Sequence, residues 1–281
     1  MIAGLCILLL IMGSCSNRKA KEAVSSSMSF EDSMNICRLR EDSLAQNAKG
    51  RSRNGLDELF NDFIYNFASD NQLQMKRILF PLLVTADENA HAFIDANHWK
   101  HDYLFTKQKI YSLLFDREKD MDLVNDTALN AVQVEWLYPR QKMIKKYFFK
   151  RIKGIWLLES IDMRHMKRSN DESFLDFYDH FVSDSTFQAR RVCQPLKFVT
   201  TDPDNDFSVI EATIDVNQWF AFKPELPIVQ LSNINYGQQD LDNSTHKIVA
   251  LKGVGNGFSN VLYFRKVSDK WKLYKFEDTS I

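Results

Sequence analysis

The segment Phe60 to Leu82, FNDFIYNFASDNQLQMKRILFPL, returns at Phe174 to Leu196 as FLDFYDHFVSDSTFQARRVCQPL. Aligned without a gap, ten of the 23 positions are identical: Phe60/Phe174, Asp62/Asp176, Phe63/Phe177, Phe67/Phe181, Ser69/Ser183, Asp70/Asp184, Gln74/Gln188, Arg77/Arg191, Pro81/Pro195 and Leu82/Leu196. The correspondence continues downstream. Ile94 to Trp99 (IDANHW) answers Ile214 to Trp219 (IDVNQW), Val132 to Leu137 answers Lys247 to Lys252, and Phe149 to Leu158 answers Phe264 to Leu273. The offset is 114 in the first segment, 120 at the tryptophan motif and 115 at the end, so insertions and deletions fall between motifs. Such self-similarity means two copies of one domain, about Gly55 to Asp162 and Asn170 to Ile281.

Each copy carries its elements in the same order. Phe60, Phe63, Ile64 and Phe67 recur at i, i+3, i+4 and i+7, the spacing that lines one face of a helix. Ser69-Asp70 stops it, because a short polar side chain caps the free amides of a new helix better than it continues an old one. The spacing of Met75, Ile78, Leu79 and Leu82 predicts a second helix closed by Pro81, matched by Ala189, Val192, Cys193 and Leu196. In that register Cys193 takes the slot of Leu79 and is expected to be a core thiol. Val132, Val134 and Trp136 then alternate with polar residues, followed by Tyr147 to Ile152, a Lys153-Gly154 turn and Ile155 to Ile161. The second copy repeats this with Ile248 to Leu251, Val261 to Val267, a Ser268-Asp269 turn and Trp271 to Phe276. Period two around a two-residue turn predicts antiparallel hairpins. Gly253 to Gly257 (GVGNG) lies between two such strands with no helix or Lys-Ser/Thr after it, so it reads as a hairpin loop, not a phosphate cradle.

With Lys+Arg 36 against Asp+Glu 37 in 281 residues, the net charge of -1 argues against a nucleic-acid partner. A hydrophobic fraction of 44% and 26% charged residues is ordinary for a globular chain long enough for two cores. The aromatic load, 21 Phe, is high.

Helices first, then a curved antiparallel sheet ending in a Trp-x-Leu strand, resembles the nuclear transport factor 2-like (NTF2-like) fold. The resemblance rests on the Phe-x-x-Phe and Gln-x-x-Arg-x-x-x-Pro-Leu motifs of both copies and covers Gly55 to Ile281. It implies an α+β class: two tandem cone-shaped domains, in each of which N-terminal helices pack on a bent sheet around an apolar cavity. The tandem arrangement behind a lipid-attachment motif also resembles a family of Bacteroidetes-type lipoproteins of unknown function. Such a scaffold hosts many unrelated activities, so it does not name one.

The N-terminus gives an address. Ile2 to Met12 is an apolar run too short to span a bilayer, and it ends at Gly13-Ser14-Cys15. The small pair before Cys15 resembles a bacterial lipobox, which implies a signal peptide over 1–14, diacylglycerol and palmitate on Cys15, and an outer-membrane anchor. Met12 stands where Leu is usual, and no Lys or Arg precedes the run. Ser16 to Asn54 is rich in Ser, Lys, Arg, Glu and Asn and reads as a flexible tether over 15–54. Ser16-Asn17-Arg18-Lys19 lacks the acidic residues that usually follow the lipidated cysteine of surface-displayed lipoproteins, so the expected side is the periplasm. Cys6 leaves with the signal peptide, and Cys37 and Cys193 are left as thiols.

Candidate chemistry is sparse. Asp95, Trp99, Asp215 and Trp219 recur at matched positions and are the ligand-pocket candidates. Each Asp has a structural alternative in helix capping, and each Trp in the core. Asp62 and Asp176 have a similar alternative, pairing with Arg77 and Arg191. His98-x-x-His101-Asp102 resembles part of a metal site, but the second copy has Gln218 and Ala221 there, and no metal or cofactor is expected. No CxxC, GxSxG, HExxH, Walker or dinucleotide motif occurs. Three functions stay open: a non-enzymatic module binding a small apolar ligand or an envelope protein; a cavity isomerase, dehydratase or hydrolase using a buried Asp; and a dimerisation scaffold.

Overall fold

Phe60, Phe63, Ile64 and Phe67 fall on the inner side of helix α1 (Phe60–Ser69), each buried. Asp70 ends this helix and opens α2 (Asn71–Lys76), its carboxylate accepting from the amides of Gln72 and Leu73 at 2.7 and 3.1 Å. In the second copy Asp184 does the same between α3 (Phe174–Ser183) and α4 (Ser185–Arg191), accepting from Thr186 and Phe187. The structure is a computed structural model that describes residues 38–39, 59–86, 90–166, 173–238 and 244–281. The expected signal peptide, Cys6, Cys15, Cys37 and most of the expected tether lie outside the described residues.

The second helix of each copy is shorter than its apolar stripe predicts. Ile78, Leu79 and Leu82 belong to strand β1 (Ile78–Ala86), and Val192, Cys193 and Leu196 to β7 (Val192–Asp202). The cause is the proline: it lacks an amide and holds its predecessor extended, so the stripe continues as a strand. Pro81 and Pro195 both sit in the irregular stretch where the pairing register shifts, the place a strand tolerates proline. Cys193 is correspondingly half-buried and free, not a core thiol like the fully packed Leu79.

The remaining strands are β2 (Ala90–Ile94), β3 (Ile110–Phe115), β4 (Ala131–Tyr138), β5 (Met143–Ile152), β6 (Ile155–His165), β8 (Asn205–Ile214), β9 (Leu231–Asn235), β10 (His246–Gly253), β11 (Ser259–Val267) and β12 (Lys270–Asp278). A short helix α5 (Val216–Phe222) precedes β9. They form two six-stranded sheets, β2-β1-β6-β5-β4-β9 and β3-β10-β11-β12-β7-β8. The hairpins at Lys153-Gly154 and Ser268-Asp269 are as expected, with both turn residues at positive φ.

The third strand of each copy has crossed over. Strand β3 pairs with β10 of the second copy, and β9 pairs with β4 of the first. The registers match: Phe115 lies opposite Ile248, and its counterpart Asn235, 120 residues on, lies opposite Gln133, the counterpart of Ile248 115 residues back. Where β3 and β9 meet, Ser112 and Ser232 bond reciprocally. The Ser112 hydroxyl donates to the Ser232 carbonyl at 2.6 Å, and the Ser232 hydroxyl to the Ser112 carbonyl at 3.2 Å. A contact in which i meets j and j meets i marks a two-fold relation, here internal to one chain.

The cores follow the exchange. Ile234 and Tyr236, from the second copy's sequence, pack with Phe60, Phe63 and Trp156, while Leu137 of the first copy packs with Phe174 and Phe177. Nearly the same aromatic geometry occurs twice: Phe60 edge-on to Trp156 at 5.0 Å and Phe67 to Phe149 at 5.2 Å, against Phe174 to Trp271 at 5.2 Å and Phe181 to Phe264 at 5.3 Å. Such pairs add roughly 0.5–1.5 kcal/mol each beyond the area they bury.

Candidate functional site

The cones of an NTF2-like pair are the first place to look for a site, and both are filled by rings. Phe63 and Phe177 are fully buried at their centres, closed in by Trp156 and Trp271. The guanidinium of Arg77 lies over the Phe63 ring and donates to the Trp156 carbonyl at 3.2 Å; Arg191 lies over Phe177 and donates to the Trp271 carbonyl at 3.1 Å. The repeated Arg therefore ties the helices to the last strand. Asp176 meets Lys142 in an ion pair.

The repeated Gln anchors the connection after β2 and its counterpart. Gln74 is fully buried; its amide donates to the carbonyls of Phe67 and Asp102 at 3.0 and 2.8 Å, and its oxygen accepts from Trp99 Nε1 and the Asp102 amide at 2.8 and 2.9 Å. In the second copy Gln188 donates to the Phe181 carbonyl at 2.7 Å, but its oxygen accepts from Lys223 Nζ at 2.9 Å. The partner that Trp99 enjoys is thus taken from Trp219, whose buried Nε1 has no hydrogen-bond partner among the described residues.

The four pocket candidates do not come together. Asp215 caps α5, accepting from the amides of Asn217 and Gln218 at 2.7 and 2.9 Å, while the Gln218 side chain accepts from its own amide at 2.9 Å, a complete capping box. Asp95 stands exposed at the matching turn, 3.9 Å from the exposed His98. Trp99 is half-buried against Phe80, and Trp219 is fully buried between Phe181 and Phe276. The His98-x-x-His101-Asp102 residues also diverge: His101 Nε2 lies 2.9 Å from the Ala68 carbonyl, and Asp102 turns to Tyr147. Among the described residues no cluster of three or more His, Cys, Asp or Glu could hold a metal.

Asp102 and Tyr147 make the polar pair that the sequence did not single out. The Tyr147 hydroxyl donates to Asp102 Oδ2 at 2.5 Å, and Lys145 Nζ lies 3.6 Å from the same oxygen. Burial, and then the neighbouring carboxylate, hold the Tyr147 phenol well above its ordinary range. Asp102 Oδ1 accepts from the Leu104 amide at 3.0 Å, so every oxygen of the carboxylate is engaged and none is aimed at empty space. Its counterpart 120 residues on is Phe222, and that of Tyr147, 115 residues on, is Leu262, so repetition gave no signal for this pair. A second unmarked cluster joins the copies: Lys146 Nζ to Glu135 at 2.6 Å, and Asn233 Nδ2 to Glu135 at 2.8 Å.

A solved structure of an NTF2-like protein from Bacteroides fragilis is similar to this one, with 61% sequence identity and a TM-score of 0.77, over 80% of this chain and 97% of that chain. The α+β, NTF2-like architecture expected from the sequence is the architecture found, except that each sheet is mixed and not wholly antiparallel, since β1 runs parallel to β6 and β7 parallel to β12. No curated protein matches the chain. The match over residues 40–278 to the family described as a domain of unknown function, DUF4348, places the chain in that family.

Proposed function

We propose that the protein is a lipid-anchored component of the bacterial outer membrane, held through Cys15 and facing the periplasm, and that it is a non-enzymatic module binding an envelope protein through its exterior. The observation that carries the non-enzymatic reading is the packing of interlocked rings through the interior of both cones, where Phe63 and Phe177 are fully buried. The anchor is supported by Gly13-Ser14-Cys15 behind a short apolar run. The exterior reading is supported by strand β8, which ends its sheet, carries exposed Val209 and Ile210 and contains no Pro, with Glu211, paired to Lys197, as the exposed charge beside them. Exposed Phe222, stacked on Phe198 of the neighbouring strand, extends the apolar surface beside it. An edge of that kind accepts an added strand from a partner protein.

A fractionation and a crosslinking experiment test this. The wild-type chain is expected in the outer-membrane pellet and Cys15→Ser in the periplasmic fraction; a soluble wild type would remove the anchor. A photo-crosslinker at Val209 is expected to trap one envelope protein in living cells, whereas crosslinks scattered over many proteins would remove the β8 partner.

A further inference from the structure

The hairpin of β11 and β12 turns through Arg265-Lys266-Val267-Ser268-Asp269-Lys270-Trp271-Lys272, four cations against one carboxylate. Its register sets Arg265 directly opposite Lys272 and Val267 opposite Lys270. These four side chains share one face, because directly paired residues, and residues two apart on a strand, point the same way. His246 on β10 stands opposite Arg265 and joins that face. Val267 to Lys270 are all exposed, Val267 at 39%. The Arg265 guanidinium lies 5.0 Å over the Tyr274 ring, and none of Arg265, Lys270 and Lys272 meets a carboxylate among the described residues. Asp269 sits in the turn, and Glu118 bears on Tyr274 and Lys275.

The internal duplication supplies the comparison. By the offset of 115, Arg265, Val267, Lys270 and Lys272 answer Lys150, Ile152, Ile155 and Leu157, paired in the same way. Leu157 is 1% exposed, and Ile152 and Ile155 are half-buried, so the first hairpin keeps this face apolar and covered. The fold therefore has no need of lysine at either position. Like charges placed directly opposite one another destabilise a sheet, and Arg265 faces Lys272. An anion from outside would relieve that repulsion. The end of a hairpin offers no cleft for a single small anion, whereas an exposed valine set among cations suits a broad layer of phosphates with hydrocarbon beneath it.

We propose that the β11–β12 hairpin docks on the anionic headgroups of a phospholipid surface, with Arg265, Lys270 and Lys272 pairing to phosphates and Val267 reaching the interface below them. Attraction of this kind weakens as salt rises. This surface goes beyond the exterior-binding reading at β8, and it is tested on a chain without lipid, so that it stands or falls independently of the anchor.

The test uses the mature polypeptide from Ser16, without the lipidated cysteine, and reads co-sedimentation with phosphatidylcholine vesicles carrying roughly one part in three of phosphatidylglycerol. Arg18, Lys19 and Lys21 of the tether are present in every chain compared and cancel. Binding is expected, and Lys270→Gln with Lys272→Gln should weaken it about thirtyfold at low salt, at about five- to sixfold for each cation held near the surface. Lys76→Gln with Lys100→Gln, which removes the same charge from exposed positions elsewhere, should change it by less than about twofold. Vesicles of phosphatidylcholine alone should sediment no protein. No binding by the unsubstituted chain, full binding by a folded Lys270→Gln and Lys272→Gln chain, equal weakening by the two double variants, or equal binding to neutral vesicles overturns the proposal. Should circular dichroism show the hairpin variant unfolded, Val267→Asp decides: it is expected to weaken binding at least about fivefold, and full binding by it overturns the proposal.

Discussion

Replacing Ile234 by Ala should weaken the part of the molecule to which Ile234 does not belong in sequence. Ile234 is 1% exposed, lies in the second copy, pairs with Val134 on β4 and packs with Phe60, Phe63 and Trp156 of the first. Truncating a buried Ile costs about 2–5 kcal/mol, from lost transfer energy and the cavity left behind. In an interlocked body that loss is shared by every strand that opens only when the whole molecule opens. Amide exchange measured by mass spectrometry should therefore accelerate by the same factor, roughly 30- to 5,000-fold, in β4 to β6 and in β10 to β12. Two independent domains would confine the effect to residues 173–281. Unchanged protection in β4 to β6 would refute the exchange as an energetic coupling, as would two separated urea transitions in the wild type.

Alkaline pH should act through the buried tyrosines. Tyr147, Tyr178 and Tyr236 are held above the ordinary phenol range chiefly by burial, so the unfolded chain loses these protons first. Their contribution is complete below pH 10 and is lost as pH rises past it, by up to about 1.4 kcal/mol per pH unit per tyrosine; Tm should be level from pH 7 to 9 and fall above 10, and a level Tm to pH 11.5 would sink the argument. Gln74→Leu leaves the Trp99 indole and the Asp102 amide without their acceptor and should cost about 3 kcal/mol or more in urea denaturation. Gln188→Leu, which strands only the solvent-reaching Lys223 on that side, should cost less, and equal losses would contradict the comparison. Asp269→Gly, copying Gly154 at a positive-φ turn position, should raise stability by about 0.5–1 kcal/mol; a lower Tm would show that the aspartate has another role.

The duplication made most of the architecture legible. Phe60 to Phe67 fixed one helix by its spacing, Asp70 and Asp184 fixed the caps, and the Lys153-Gly154 and Ser268-Asp269 turns fixed two hairpins. The second helices were over-extended because Met75, Ile78, Leu79 and Leu82 satisfy a helical stripe until Pro81 forces the chain straight, and periodicity alone does not weigh that conflict. The strand exchange was not legible. Period two identifies a strand without its partner, and Ile110 to Phe115, buried on both sides, shows no alternation at all. Asp95, Trp99, Asp215 and Trp219 stood out because they repeat; the structure gives Asp215 a helix-capping role and buries Trp219, while Asp95 stands exposed without a cap bond. Asp102 with Tyr147 differs between the copies, so only coordinates bring that pair forward.

The interlocking itself is tested most directly by dividing the chain between the copies. Residues 59–166 and 173–281 would be produced separately and then together, and followed by size-exclusion chromatography and circular dichroism. Each half alone leaves β4 or β10 with an open edge and a core lacking its third strand, so it should be unfolded or aggregated. Mixed, the halves should yield a one-to-one complex with the spectrum of the intact chain. Two halves that each fold as a monomer, and ignore one another, would contradict the account.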